Sequence, residues 1–270
     1  MFSSLLRKFV PLATLSLAAG SASALTCGND ASGFANWKIE FAALAQANGV
    51  GQAGLNALAN AQYATRTINA DRNQTGVRYE LDDFIRIRLG SIDAFAAQAR
   101  RHLDRNRAFF DQITAIYGVP AGVLLAIHGM ETGFGSNMGS ENVISSITTM
   151  AYDCRRTEFF QPHALAALIL VDHGALHPGQ LGAFHGELGH TQFLPGNALL
   201  YGRDGDGDGR VDFYNMADAM ASTANFLMQK GWQRGVGFQV GEPNFTVIGE
   251  WNAATVYQQA IALAGRAIGG

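Results

Sequence analysis

Apolar residues recur at three- and four-residue spacing over Phe34 to Ala47, Leu81 to Ile116, Ala121 to Met130, Phe159 to Val171, Met216 to Met228 and Thr255 to Ile268. This is the period of a helix with a buried face. Alternating β-branched runs that would mark a large sheet do not occur, so the pattern predicts a mainly α domain with at most a small β-sheet. Asn73-Gln74-Thr75-Gly76 and Asp204 to Gly209 interrupt the periodicity as loops.

The first 24 residues break this pattern differently. Arg7 and Lys8 precede an apolar run that ends in Ala22-Ser23-Ala24, the arrangement of an export leader cut after Ala24. The expected organisation is a leader over 1–24, removed, and a single domain over 25–270. The run is shorter than the ~20 residues of a bilayer span, and no later segment supplies one. Removing the leader takes away Arg7 and Lys8 but no acid, so the formal charge of -3 becomes -5. A chain of this charge without a basic patch is not built to neutralise nucleic-acid phosphates. The remaining length and the 48% hydrophobic content suffice for one large core.

An exported chain with two cysteines, Cys27 and Cys154, is expected to close one disulfide, the alternative being two unpaired thiols. Thr26 stands where a small residue would precede a lipidated cysteine, which speaks against a lipoprotein.

Three segments could carry chemistry. Val119-Pro120 opens the nearly uncharged AGVLLAIHGM, which delivers Glu131 from an apolar surround. Desolvation keeps such a carboxyl protonated, the form needed for general-acid attack on a glycosidic oxygen. Taken alone, a Glu at a helix end is equally an ordinary solvated residue. In Gly186 to Pro195, GELGHTQFLP, Gln192 offers two donors and an acceptor among glycines and apolar anchors, as a sugar-binding loop or a surface loop would.

Asp204, Asp206, Asp208 and Asp212 occupy positions 1, 3, 5 and 9 of an EF-hand-like loop, with Gly209 at 6 and Val211 at 8. Position 7 contributes the Arg210 carbonyl. Position 12 is Asn215 where a Glu is usual, so Asp218 is expected to reach in. A structural Ca²⁺ is the expected occupant; Na⁺, Mg²⁺ or an empty acidic turn are the alternatives. His173, His177, His185 and His190 lack zinc-ligand spacing, and no acyl-transfer motif occurs.

Met130-Glu131-Thr132-Gly133-Phe134-Gly135, Asn137-Met138-Gly139-Ser140, Tyr152-Asp153-Cys154-Arg155-Arg156, GELGHTQFLP, DGDGDGRVDFYN, Ala221-Ser222-Thr223-Ala224-Asn225 and Gly231-Trp232 follow one another along the chain. In that order they resemble the B-type lytic murein transglycosylases of bacterial envelopes. The resemblance implies a lysozyme-like fold with a substrate groove and Glu131 at its floor. It also implies a periplasmic enzyme whose partner is a peptidoglycan glycan strand. Such an enzyme cuts between N-acetylmuramic acid and N-acetylglucosamine, leaves a 1,6-anhydro ring, and needs no cofactor for catalysis.

Saccharide contacts carried over by the resemblance are Gln192, Tyr201, Asn252 and Tyr257. Arg155 and Arg156 are expected to meet stem-peptide carboxylates or to form a solvated helix start, and Phe134, Phe159 and Phe193 to offer sugar platforms or core. The sequence departs from the family at Ala183, Gly196-Asn197-Ala198 and Ala253-Ala254, where polar groups are common. Two rivals remain: a hydrolytic muramidase using Glu187 or Asp153 as a second carboxylate, and a non-catalytic wall-binding scaffold.

Overall fold

The computed structural model describes residues 25–73 and 79–269. The expected leader, and Gln74, Thr75 and Gly76 of the expected loop, lie outside the described residues. A 3-10 turn over Ala31–Gly33 leads into α1 (Phe34–Ala47), α2 (Gln52–Asn60), α3 (Thr65–Arg72), α4 (Leu81–Leu89), α5 (Ile92–Arg105), α6 (Arg107–Tyr117) and α7 (Ala121–Thr132). Then come β1 (Glu141–Asn142), α8 (Val143–Tyr152), α9 (Thr157–Asp172), β2 (Leu181–Gly182), a 3-10 turn over Gly189–Thr191, α10 (Pro195–Tyr201), α11 (Met216–Gln229), α12 (Pro243–Trp251) and α13 (Thr255–Ile268). β1 and β2 pair antiparallel, Glu141 opposite Gly182 and Asn142 opposite Leu181. The architecture is mainly α with a two-stranded sheet, as the periodicity predicts.

The periodic stretch Leu81 to Ile116 is three helices, not one. Gly90, at φ 73°, ends α4, and Ser91 restarts the chain by accepting the Ala94 N–H on its side chain. Asn106, at φ -126°, ends α5 and begins α6. A 3.6-residue period persists through such corners because every helix turns its apolar face to the same core. α2 is held by a distant residue: Asp172, at the end of α9, accepts the Gly51 and Gly54 N–H groups at 2.5 and 2.8 Å. A carboxylate there satisfies orphan donors and favours the positive end of the helix.

α7 is the buried axis of the fold. Gly122 through His128, Met130 and Thr132 are all buried, as a nearly uncharged helix must be. It packs against α5 and α13. Close approach to α13 depends on Gly122, where a Cβ would lie 2.3 Å from the Gly265 carbonyl oxygen. This contact brings the first turn of α13 alongside the last turn of α7. Among the described residues no single helix is long and apolar enough to cross a membrane.

The N-terminal segment is fixed to the middle of the chain. Cys27 and Cys154 form a disulfide, and Gly28 bridges to Asp153, donating to the Tyr152 carbonyl at 3.1 Å. Trp37 and Phe41, both fully buried, stack at 4.6 Å and plug α1 into the core. The bond closes a sequence separation of 127 residues, worth about 4 to 5 kcal/mol in the chain-entropy account. Reduction is therefore expected to lower the melting temperature substantially, and Cys27→Ala to reproduce that loss under oxidising conditions. Differential scanning calorimetry with and without reductant tests this; superimposable transitions would rule out a stabilising role.

Candidate active site

Glu131 ends the buried run of α7, one residue before its C-terminus. Gly133, left-handed at φ 57°, stops the helix there and turns the chain away from the carboxyl. Glu131 Oε1 accepts the Tyr257 hydroxyl at 2.6 Å and the indole N–H of Trp251 at 3.1 Å. The first donor comes from α13 and the second from α12. With Oε1 doubly occupied, Oε2 is the oxygen left for a proton.

Burial holds this carboxyl above the ordinary carboxylate range. The Tyr257 and Trp251 hydrogen bonds and the Arg88 charge oppose that rise, and the Glu187 charge adds to it. Tyr257, buried against the same carboxylate, titrates well above its usual range and remains a donor.

Glu131 opens onto a groove of about 410 Å³, with Gln192, Asn252, Glu187, Asn197 and Ala183 on its walls. Among the described residues, larger surface hollows lie elsewhere, but none of these four contains a carboxyl with this environment. The GELGHTQF loop is closed on itself: Leu188 and Phe193 exchange backbone hydrogen bonds at 2.8 and 3.0 Å. Between them Gln192 adopts a left-handed conformation, φ 56° and ψ 50°. A non-glycine residue there costs on the order of 1 to 3 kcal/mol and persists where its surroundings enforce it. Here the Gln192 amide donates to the Gly189 carbonyl at 2.7 Å. Thr132 Oγ1 donates to the His190 carbonyl at 2.7 Å, tying the loop to the end of α7.

His190 Nδ1 lies 2.9 Å from His128 Nε2. Burial, followed by the charges of His190 and His102, pushes His128 down to about 3, and burial lowers His190 as well, so the pair is a neutral strut on the flank of α7. The remaining clustered histidines are dispersed. His177 accepts the Gly179 N–H, and His185 faces Glu187 and Asp71.

Gln192, Asn252 and Tyr257 thus converge on Glu131 or its groove. Tyr201 does not border the groove directly; its ring packs edge-on against Phe226, a lining residue. Arg155 and Arg156 lie outside the groove lining, and buried Asp71 pairs with both, at 3.1 and 2.7 Å, while each side chain remains partly exposed. Asp153 is likewise remote, paired with Arg72 and capping the Arg155 N–H. Phe193 lies beneath the groove, Phe134 is packed between His102 and Phe95, and Phe159 is exposed beside Arg156. Trp251, a donor to Glu131, and Asp71, the partner of both arginines, are contacts the sequence reading did not single out. Trp251 adjoins the Asn252 segment, whereas nothing in the sequence around Asp71 marks it.

In the acidic loop, Asp204, Asp206 and Asp218 each place a carboxylate oxygen within 4.8 Å of the others. Asp218 is buried and accepts the Gly205 and Asp212 N–H groups, each at 2.7 Å. Asp208 stands outside this group, its exposed side chain accepting the Arg210 N–H at 2.8 Å. Asn215 instead donates to Asp206 and caps α11. Three oxygens of this kind suit a hard cation.

Residues 33–243 match the model of the transglycosylase SLT domain. This chain belongs to the transglycosylase SLT domain family. The motif resemblance to its B-type lytic murein members is upheld by membrane-bound lytic murein transglycosylase B of Escherichia coli (strain K12), 32% identical over 122 residues. That match spans 44% of this chain and 34% of the relative, so the chain aligns with about a third of that protein's length. The crystal structure of SltB3 from Pseudomonas aeruginosa in complex with NAG-NAM-pentapeptide superposes with a TM-score of 0.79 at 27% identity, covering 88% of this chain and 80% of that one. Escherichia coli Slt35 in complex with calcium gives a TM-score of 0.76 at 20% identity over 90% and 96%. The SLT domain here is thus a lysozyme-like helical fold.

A carboxyl raised by burial stabilises the fold fully below its unfolded pKa, and that contribution is lost as pH rises through the folded one. Glu131→Gln, whose carbonyl can still accept from Tyr257 and Trp251, is therefore expected to melt roughly 2 to 4 °C above the parent at pH 8. The gap should close near pH 4. Equal melting temperatures at pH 8 would reject a desolvated acid.

Proposed function

We propose that this SLT-domain protein is a peptidoglycan lytic transglycosylase that cleaves the β-1,4 bond between N-acetylmuramic acid and N-acetylglucosamine, with Glu131 serving as acid and then as base. The observation that carries the reading is the buried Glu131 carboxyl, its Oε1 fixed by Tyr257 and Trp251 in a groove walled by Gln192 and Asn252. Glu131 gives its proton to the glycosidic oxygen as the bond to the anomeric carbon breaks. The substrate's N-acetyl oxygen supports the developing positive centre. The muramoyl 6-hydroxyl then bonds to the anomeric carbon and passes its proton to the Glu131 carboxylate, restoring the acid. No water is consumed, and the products together have the mass of the substrate.

Hydrolysis needs a carboxylate free to activate water. Glu187, in the same groove, accepts from the backbone and ring of His185, one partner per oxygen, and Asp153 lies outside the groove, paired with Arg72. The product therefore decides between closure of the anhydro ring and hydrolysis. Glu131→Gln is expected to lower release of muropeptides from purified sacculi by at least about 100-fold. Mass analysis of products from the parent should find anhydro ends. Products heavier by one water would replace this reading with a muramidase, and binding without release would replace it with a scaffold.

The Asp204, Asp206 and Asp218 carboxylates, with the Arg210 carbonyl, form the proposed structural Ca²⁺ site; its chemistry would be to neutralise the acidic turn and brace the start of α11. Asp208 would be an outer partner of that loop. Adding Ca²⁺ is expected to raise the melting temperature by several degrees (roughly 1 to 2 kcal/mol of linkage) with little change in lysis rate; a melting temperature indifferent to Ca²⁺ and chelator counts against it. Together with a leader over 1–24 and one domain over 25–270, the disulfide supports export to the periplasm, where such bonds persist.

A further inference from the structure

Beneath the groove wall opposite Glu131 runs a second set of charges. Asp71, 1% exposed on α3, takes Arg156 Nη1 at 2.7 Å on Oδ1 and Arg155 Nη2 at 3.1 Å on Oδ2. His185 Nε2 lies 3.5 Å from Asp71 Oδ1, and the other ring nitrogen lies 3.2 Å from Glu187 Oε1. Glu187 Oε2 accepts the His185 backbone N–H at 3.0 Å. Phe160 packs between the Arg156 guanidinium, 4.9 Å from its centroid, and the His185 ring, 6.2 Å away and nearly parallel. Two arginines, a carboxylate and an imidazole from three parts of the chain thus lie in series, the Asp71–His185 step being a close approach rather than a hydrogen bond, and the series ends on one groove carboxylate.

Burying Asp71 with two guanidinium partners requires a structural return, because removing charges from water is costly. Here the return is the placement of Glu187. Each of its oxygens has one partner in the relay and a second lone pair remaining. Glu187 is an acceptor-only group in its charged form, in a groove that by the reading above receives hydroxyl and acetamido donors.

We propose that Glu187 is a substrate-positioning carboxylate of this groove, aimed by the Arg155/Arg156–Asp71–His185 relay to accept a hydrogen bond from a hydroxyl or acetamido N–H of the bound glycan. It has a second effect on Glu131. A like charge in the same groove opposes ionisation of the acid, in the direction seen for Glu131. The other charged or titratable groups facing Glu131 are Arg88 and Tyr257; His128, with His190 and His102, packs on the flank of α7. This assignment rests on the glycan-cleaving reading of the groove but not on its product.

The test measures binding and cleavage separately. Calorimetry with an alternating N-acetylglucosamine–N-acetylmuramic acid oligosaccharide is run on Glu131→Gln and on Glu131→Gln/Glu187→Gln. The double variant is expected to bind about tenfold more weakly, the worth of one charge-assisted hydrogen bond. In the otherwise intact chain, Glu187→Gln should raise KM by a similar factor and move the alkaline limb of kcat/KM to lower pH. Glu187→Asp, shorter but charged, should restore that limb without restoring KM, a split that a purely structural role would not produce. Unchanged affinity in the double variant and an unmoved limb in Glu187→Gln would overturn the assignment. If Glu187→Gln does not fold, His185→Asn removes the ring contact to Oε1 while the backbone N–H stays on Oε2, and the variant's affinity must fall for the proposal to stand. A parent that binds the oligosaccharide but releases nothing from sacculi refutes the proposed reaction and leaves the affinity arm to decide on Glu187.

Discussion

The withdrawal of one carboxyl from water organises this molecule. Glu131 can serve as an acid at neutral pH only where its ionised form is disfavoured, which demands an apolar helix around it and neighbours that stop water from reaching it. α7 meets the first demand with a run of buried residues from Gly122 to Met130, broken only at Gly129. α12 and α13 meet the second through Trp251 and Tyr257. These two donors also prevent the opposite failure, since an unpartnered buried carboxyl would carry its full desolvation penalty. The Gly122–Gly265 approach follows from the same need, because α13 must lie close enough for a phenol on its first turn to reach the acid.

The groove illustrates a division between strain and support. Gln192 occupies a backbone conformation that few side chains adopt, and the Leu188–Phe193 bridge and the Thr132–His190 contact hold it there. Those contacts run to the end of the helix that carries Glu131. Glu131 and Gln192 are consequently referenced to one rigid corner rather than to independent loops. The neutral His128–His190 pair adds a short polar strut at that corner without introducing charge.

Much of this was legible in the sequence, for reasons that differ by residue. The six predicted helical stretches all contain helix, because burying one face imposes a period whatever the tertiary arrangement. The uncharged run before Glu131 marked it as a candidate acid beside the ordinary solvated reading, and the ordered motifs carried Gln192, Asn252 and Tyr257 over by resemblance. The corners inside Leu81 to Ile116 were written only in Gly90-Ser91 and Asn106, signals weaker than the periodicity around them. α2 was invisible because its cap is Asp172, supplied from 121 residues away. Arg155 and Arg156 were read as meeting stem-peptide carboxylates or as a solvated helix start, and their pairing with Asp71 was not foreseen because Asp71 lies on a polar helix with no local mark of burial. A buried ion pair is a property of two distant segments, and spacing within either one cannot announce it.

The disulfide partitions the groove by covalent topology. Glu131 lies within the ring that Cys27 and Cys154 close, whereas Gln192, Trp251 and Tyr257 lie on the open tail beyond it. A protease nick inside the ring would leave both fragments tethered and the acid attached to the molecule. A nick between residues 154 and 251 would instead sever the chain that carries Glu131 from the chain that carries its hydrogen-bond donors, leaving noncovalent packing alone to hold them together. The tail is therefore the half through which proteolytic turnover would silence the protein.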